Sequence, residues 1–159
     1  MTAGLEPWAA DQFIYGILSQ DATLMNLLST AYQSHTIEPG LVPSENVPEI
    51  YSDTVPPDVT YPYVVFQMHT PIGDVEIENN IIVMSVMDYL VRVVDRSQSY
   101  SAIAPIYGQI HSLLHKATGT VADGVVFNCY RIRPYKMPEI DDAISYRHMG
   151  GIYRVQVQS

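Results

Sequence analysis

IIVMSVMDYLVRVVDR, residues 81 to 96, alternates apolar and polar positions. Val83, Met87, Tyr89, Val91 and Val93 share one side of an extended chain, while Asp88, Arg92 and Arg96 share the other. The stretch therefore reads as a strand with a core side and a side that meets water or a partner. Serines 97, 99 and 101 follow, and beyond them Ile103, Ile106, Tyr107, Ile110, Leu113, Leu114 and Ala117 repeat at the spacing of a single helical stripe. A helix of that kind must fold back over the strand's apolar side. Pro105 is comfortable only in a first turn, so the helix is expected to begin near Ala102 under a Ser101 cap. Its expected end is Thr118 and Gly119, where glycine suits a left-handed cap.

Working outward, Phe13, Ile14, Ile17 and Leu18 form one helical stripe and Leu24, Met25, Leu27 and Leu28 a second. Ser19 and Asp21 between them divide a longer helix, ending near Gln20, from a short one. Six prolines lie between Pro39 and Pro62. A residue without an amide donor cannot run through the middle of a sheet, so 39–62 is expected to be an ordered loop arm with a short edge strand near Ile50 and Tyr51. Tyr61 to His69 is aromatic and β-branched and reads as a strand. After it, Pro71 and Gly73 mark a turn, and Asp74, Glu76 and Glu78 give a hairpin tip with a negative band. Val125 to Tyr135 and Ile144 to Gln158 are two further strands joined by KMPEIDDA, with Gly150 and Gly151 marking a bulge in the second. The expected fold is α+β, a single domain over residues 1–159. It has one mainly antiparallel sheet of about four strands, packed on one face by two main helices, plus the Pro-rich arm.

A chain of 159 residues buries roughly 70% of its unfolded surface without a staple. Cys129 is the only cysteine, so no disulfide forms within the chain and a reducing cytoplasm is the natural setting. The opening MTAGLEPW has neither a basic nor a sustained apolar segment, so no secretory signal is expected. No window approaches the ~18 consecutive apolar residues of a membrane helix. Charge is the most informative total. The first 80 residues hold eleven acids and no Lys or Arg, and the rest hold eight bases against six acids, giving −11 and +2 and the overall −9. Two surfaces of opposite sign can bind one another head to tail between copies. Only 16% of residues are charged and twelve are Tyr, a composition suited to a surface covered by neighbours.

Signs of chemistry are weak. His111 and His115 have the four-residue spacing of a metal-binding pair but lack a third ligand, and read as boundary histidines. Cys129 sits among apolar residues and reads as a buried, inert thiol. Asp141 and Asp142 point apart in extended chain and make a poor acid–base pair. Asp74, Glu76 and Glu78 read as a solvated rim rather than a cation site. No phosphate-cradling glycine loop is present. No catalytic residue, cofactor or metal is expected. Arg131, Arg133 and Lys136, interleaved with Tyr130 and Tyr135, resemble a stacking groove for nucleic acid. A chain this acidic gains little from counterion release, so the cluster is better suited to the acidic half of a neighbouring copy.

IYGILSQDATLMNLL, YPYVVFQ, VRVVDRSQSYSAIAPIYGQIHSLLHKA and ISYRHMGGIYRVQVQ, taken together and in this order, resemble the tail terminator, or tail completion, proteins of long-tailed bacteriophages. The longer Pro-rich arm departs from that pattern. The resemblance implies a non-enzymatic virion protein, assembled in the host cytoplasm, that forms a hexameric ring at the head-proximal end of the tail tube. Its implied partners are further copies of itself, the tail tube protein and the head completion or connector proteins. Double-stranded DNA would pass through the lumen without specific binding, and no membrane is involved. Within that picture charge assigns Arg131, Arg133, Lys136 and Arg147 to the subunit interface, and Asp74, Glu76 and Glu78 to the lumen or the tube-facing surface. The alternatives are a head-to-tail joining protein on the connector side and, in a different class, a small cytosolic metal- or ligand-binding enzyme domain using the histidine pair.

Overall fold

In the computed structural model, which describes residues 4–28, 49–77 and 81–159, the alternating stretch is a central strand, β3 (Ile81–Asp95). Met87, Tyr89, Val91 and Val93 lie on its core side, as the alternation requires, and each is buried. The side chain of Val83, and the residues of the expected arm from 39 to 48, fall outside what is described. Before β3 come α1 (Glu6–Ser19), α2 (Ala22–Leu28), β1 (Ile50–Ser52) and β2 (Tyr63–Ile77). After it come α3 (Ala104–Leu114), β4 (Ala117–Val121), β5 (Gly124–Asp141) and β6 (Ile144–Gln158).

These strands make one curled six-stranded sheet in the order β1-β2-β3-β6-β5-β4, antiparallel except for β1 alongside β2. The expectation of about four strands is corrected by two short outer ones. β1 lies inside the proline-rich segment, at the edge where a chain poor in amide donors is tolerated. β4 takes the residues expected to cap the helix. The helix stops at Leu114, His115 is already extended, and Lys116 adopts a left-handed φ of 68° while its amide donates to the Cys129 carbonyl at 2.6 Å. Gly119 is therefore a strand residue. A Cβ there would come within 3.2 Å of the Phe13 ring, so glycine lets α1 approach β4.

Other boundaries follow the expected chemistry. Asp21 Oδ1 accepts the Leu24 amide at 2.7 Å and caps α2. Pro105 falls in the first turn of α3, which begins at Ala104 without a side-chain cap, so Ser101 is not the cap residue. The stripe of α3 (Ile106, Tyr107, Ile110, Leu114) packs with Phe13, Ile14 and Leu18 of α1 against one face of the sheet. Leu27, expected in the short helix's stripe, faces outward.

The two long hairpins differ from expectation in the same way: strand continues where a turn was expected. β2 runs through Pro71 and Gly73 with register shifts on either side of Pro71, so the proline sits in an irregular edge strand and not at a turn. The KMPEIDDA segment also belongs to the ladder. β5 and β6 pair to Asp141↔Ile144 and are closed by Asp142 and Ala143, with φ of 45° and 64°, the two positive values of a type I′ turn. β6 keeps unbroken register with β3 through Gly150 and Gly151, so the expected bulge is absent there. It lies opposite, in β5, between Arg131 and Arg133.

Candidate functional site

β6 reaches only to Ser85↔Val157 along β3, so the β2–β3 hairpin projects past the sheet from Asp74 onward. The Ser85 hydroxyl donates to Asp74 Oδ1 at 2.5 Å where the projection begins. Asp74 and Glu76 are exposed on this arm, and Glu78 lies outside the described residues. Met68, Ile72 and Val75 are also exposed on β2. The arm therefore combines apolar area with carboxylates.

The four cations assigned to the subunit interface do not form one patch. Arg131 pairs across to core-side Tyr153, and its Nη1 donates to the Tyr107 hydroxyl at 3.0 Å. Lys136 and Arg147 converge on the Tyr100 ring, at 4.2 and 5.6 Å from its centroid. Arg147 also donates to the Tyr146 and Gln98 carbonyls. Arg133 is turned by the bulge to the other face, opposite Ile152. Tyr130 and Tyr135 share that other face, opposite Arg154 and Gly150. Most of the cations and the interleaved rings thus lie on opposite faces of the sheet, which rules out the stacking groove their spacing suggests.

At the far edge of the sheet an apolar groove of about 340 Å³ lies between α1 and β1, lined by Trp8, Asp11, Gln12, Tyr15, Ile50, Tyr51, Ser52, Thr54 and Phe66. Trp8 is 54% exposed and Tyr15 40%. Burial raises the Asp11 carboxyl above its ordinary value; hydrogen bonding by Tyr89 and Ser52 opposes this, and the charge of Asp53 adds to it. Sequence reasoning missed this groove because its two walls are about forty residues apart in the chain.

The face of the sheet opposite the described helices carries a second set of residues not foreseen from sequence. Asp88 is buried and forms a bidentate pair with Arg154, at 2.9 and 3.2 Å. Val65, Leu90, Val94 and Ile152 are buried beside it without belonging to the helix-side core. Lower on this face, Tyr61, Tyr63, Glu139, Asp141, Tyr146 and His148 surround a cavity of about 230 Å³. His148 Nε2 lies 2.7 Å from Glu139 Oε2, close enough for an ion pair but not aligned as a hydrogen bond. Burial and the nearby charge of Arg92 lower the imidazole's pKa, with Glu139 opposing them. The only sequence signal for either pair was polar residues at strand positions.

The residues weighed for chemistry have structural work. The His111 and His115 rings stack at 4.9 Å, His111 Nδ1 meets the Tyr153 hydroxyl at 3.1 Å, and the Arg131 amide donates to His115 Nδ1 at 3.2 Å. The pair ties α3 to the bulged strand. Among the described residues no group of three or more His, Cys, Asp or Glu could hold a metal ion. Cys129 is buried, which pushes its thiol up to about 12, so the thiolate is scarce at neutral pH. Asp141 and Asp142 sit exposed at the hairpin turn. Among the described residues no helix is long and apolar enough to cross a membrane.

No protein-family model matches the chain, and no curated protein does. Among solved structures, a chain of the virion of a native gene transfer agent (GTA) particle is similar to it. That likeness has a TM-score of 0.71 over 99% of this chain and 100% of that one, at 17% sequence identity. At such low identity the likeness concerns the fold.

Proposed function

We propose that this chain is a virion structural protein that assembles as a hexameric ring at the head-proximal end of a phage tail tube. The ring ends tube growth and offers the head's neck proteins a docking surface, with DNA passing through the lumen. The observation that carries the reading is the fold likeness to a chain of a gene transfer agent virion, which extends over essentially the whole of both chains. The polarised sheet supports it. β1 and β2, from the half of the sequence without Lys or Arg, form one edge, and β5, with Arg131, Arg133 and Lys136, lies toward the other. Two different edges of opposite sign suit the heterologous contacts from which rings close.

The face opposite the described helices carries Arg92, Arg133 and Arg154 against Asp88, Glu139 and Asp141, so it is near neutral and does not make a phosphate-repelling lumen by itself. The projecting arm with Asp74 and Glu76 is therefore better assigned to the tube-facing surface. No side chain in this reading performs covalent chemistry. Electron microscopy of particles made without this protein tests it. Overlong, headless tubes are expected. Filled heads beside finished but detached tails would overturn the terminator role in favour of a joining protein on the connector side, and normal particles would overturn both.

A further inference from the structure

The paired registers show which parts of the two sheet edges lie level with each other. Ser52 pairs with Phe66, Phe66 with Val91, Val91 with Gly151 and Gly151 with Pro134. Two residues away the row runs Ile50, Val64, Val93, Met149, Lys136. β1 and the Pro134–Lys136 stretch of β5 are thus the two ends of the same rows. In a ring whose axis runs along the strands, the β1 edge of one copy meets the β5 edge of the next at the same height.

Among the described residues no second strand pairs with β1 beyond β2, and β4 covers β5 no further than Cys129. Glu49 and Asp53 spend their backbone groups on Val64 and Phe66, so by alternation the N–H and C=O of Ile50 and the N–H of Ser52 point outward, while the Ser52 carbonyl accepts the Thr54 amide at 2.6 Å. On β5, Pro134 and Pro138 interrupt no register with β6, which means their missing donors face the open side. Lys136 lies on that same side and keeps both its groups. β5 runs antiparallel to β1, so the level rows would juxtapose Ile50 with Lys136 and Ser52 with Pro134, with a single amide lacking.

We propose that the groove between α1 and β1 receives the β5 edge, Arg133 to Lys136, of a second copy laid antiparallel to β1. The inference rests on the ring reading and names its lateral contact. On the helix side of the sheet, Pro134 and the stem of Lys136 cover Trp8 and Tyr15, while the ammonium reaches the Asp11 and Asp53 carboxylates. A proline-bearing edge forms few backbone bonds, so the aromatic socket and the opposite charges supply the specificity.

Trp8 is the only tryptophan and lines the groove, so its emission reports on this contact directly. In a concentration series, the rise in mass by sedimentation and a blue shift of Trp8 emission should follow one curve. Two variants are then made separately, Tyr15→Lys in the groove and Arg133→Glu with Lys136→Glu on the edge, with circular dichroism confirming that each is folded. Each alone should associate at least about tenfold more weakly. Mixed, they should form a dimer and nothing larger, because each retains one of the two surfaces. Wild-type rings without a Trp8 shift, variants that still close rings, or a mixture that stays monomeric would overturn this contact while leaving the ring reading intact. A wild-type protein that remains monomeric throughout would overturn the ring itself.

Discussion

At the scale of single residues, the buried Asp88–Arg154 pair and His148 make the sharpest predictions. Removing one partner of a buried ion pair leaves an uncompensated charge, whereas replacing both with apolar groups can be nearly neutral. Asp88 is buried while about a third of the Arg154 side chain is exposed. Arg154→Met should therefore cost about 3 kcal/mol. The double change Asp88→Leu with Arg154→Met should recover most of it in urea unfolding, and equal losses in the two variants would contradict the pairing. His148 behaves differently because its pKa is lowered in the fold. The unfolded chain takes up the proton first, near ~6.5, so the neutral ring's contribution is complete above that value and fades as pH falls through it. Arg92, Glu139, Asp141 and the surrounding tyrosines set this local field. Comparing unfolding midpoints at about pH 7.5 and about pH 5.5, on either side of that transition, His148→Gln should lose less stability than the wild type, and parallel curves for the two proteins would contradict the assignment.

At the scale of elements, Gly150 holds β6 against the central strand. A Cβ on it would lie 2.1 Å from the Val91 carbonyl oxygen and 2.7 Å from Arg92 Cα, and backbone cannot yield as a side chain can. Gly150→Ala should destabilise the fold by about 3 kcal/mol, the upper end of what overpacking costs, read as a lower urea midpoint. An unchanged midpoint would mean that β3 and β6 are less tightly joined than the register indicates. The glycine pair also shows what was legible in the sequence. Local periodicity identified β3, α1, α3 and the long last strand, because one buried face imposes its repeat on each. It failed where a distant element decides. Gly119 looked like a helix cap because the approach of Phe13 is invisible from the local sequence. The bulge at Gly150 and Gly151 was assigned to the wrong strand, since bulges depend on the partner's register. The same shift carried Arg133 away from Arg131, and only strand pairing brings Asp88 to a residue 66 positions later. Composition could identify the charges of the candidate interface but not the face on which each stands.

At the scale of the whole molecule, the polarity of the sequence becomes the polarity of the sheet, because the first two strands and the fifth occupy different sides of it. Two electrostatic effects then act on association with opposite signs. Copies of net charge −9 repel one another as wholes, while Lys136 attracts Asp11 and Asp53 across the proposed contact. Their ranges differ. At ~0.01 M ionic strength the screening length is ~30 Å, comparable to the molecule, so the net repulsion is felt in full. At ~0.15 M it falls to ~8 Å, which removes the long-range repulsion but spares pairs in contact, and at ~1 M it is ~3 Å and weakens those as well. Self-association should therefore pass through a maximum near physiological salt, measured by sedimentation across a sodium chloride series. A steady rise to ~1 M would instead assign the contact to the Trp8–Tyr15 socket alone, because apolar burial survives screening. Neutralising the arm with Asp74→Asn and Glu76→Gln should strengthen association at low salt by reducing the net charge, and should leave the value near ~0.15 M unchanged, because the arm projects beyond the rows that meet.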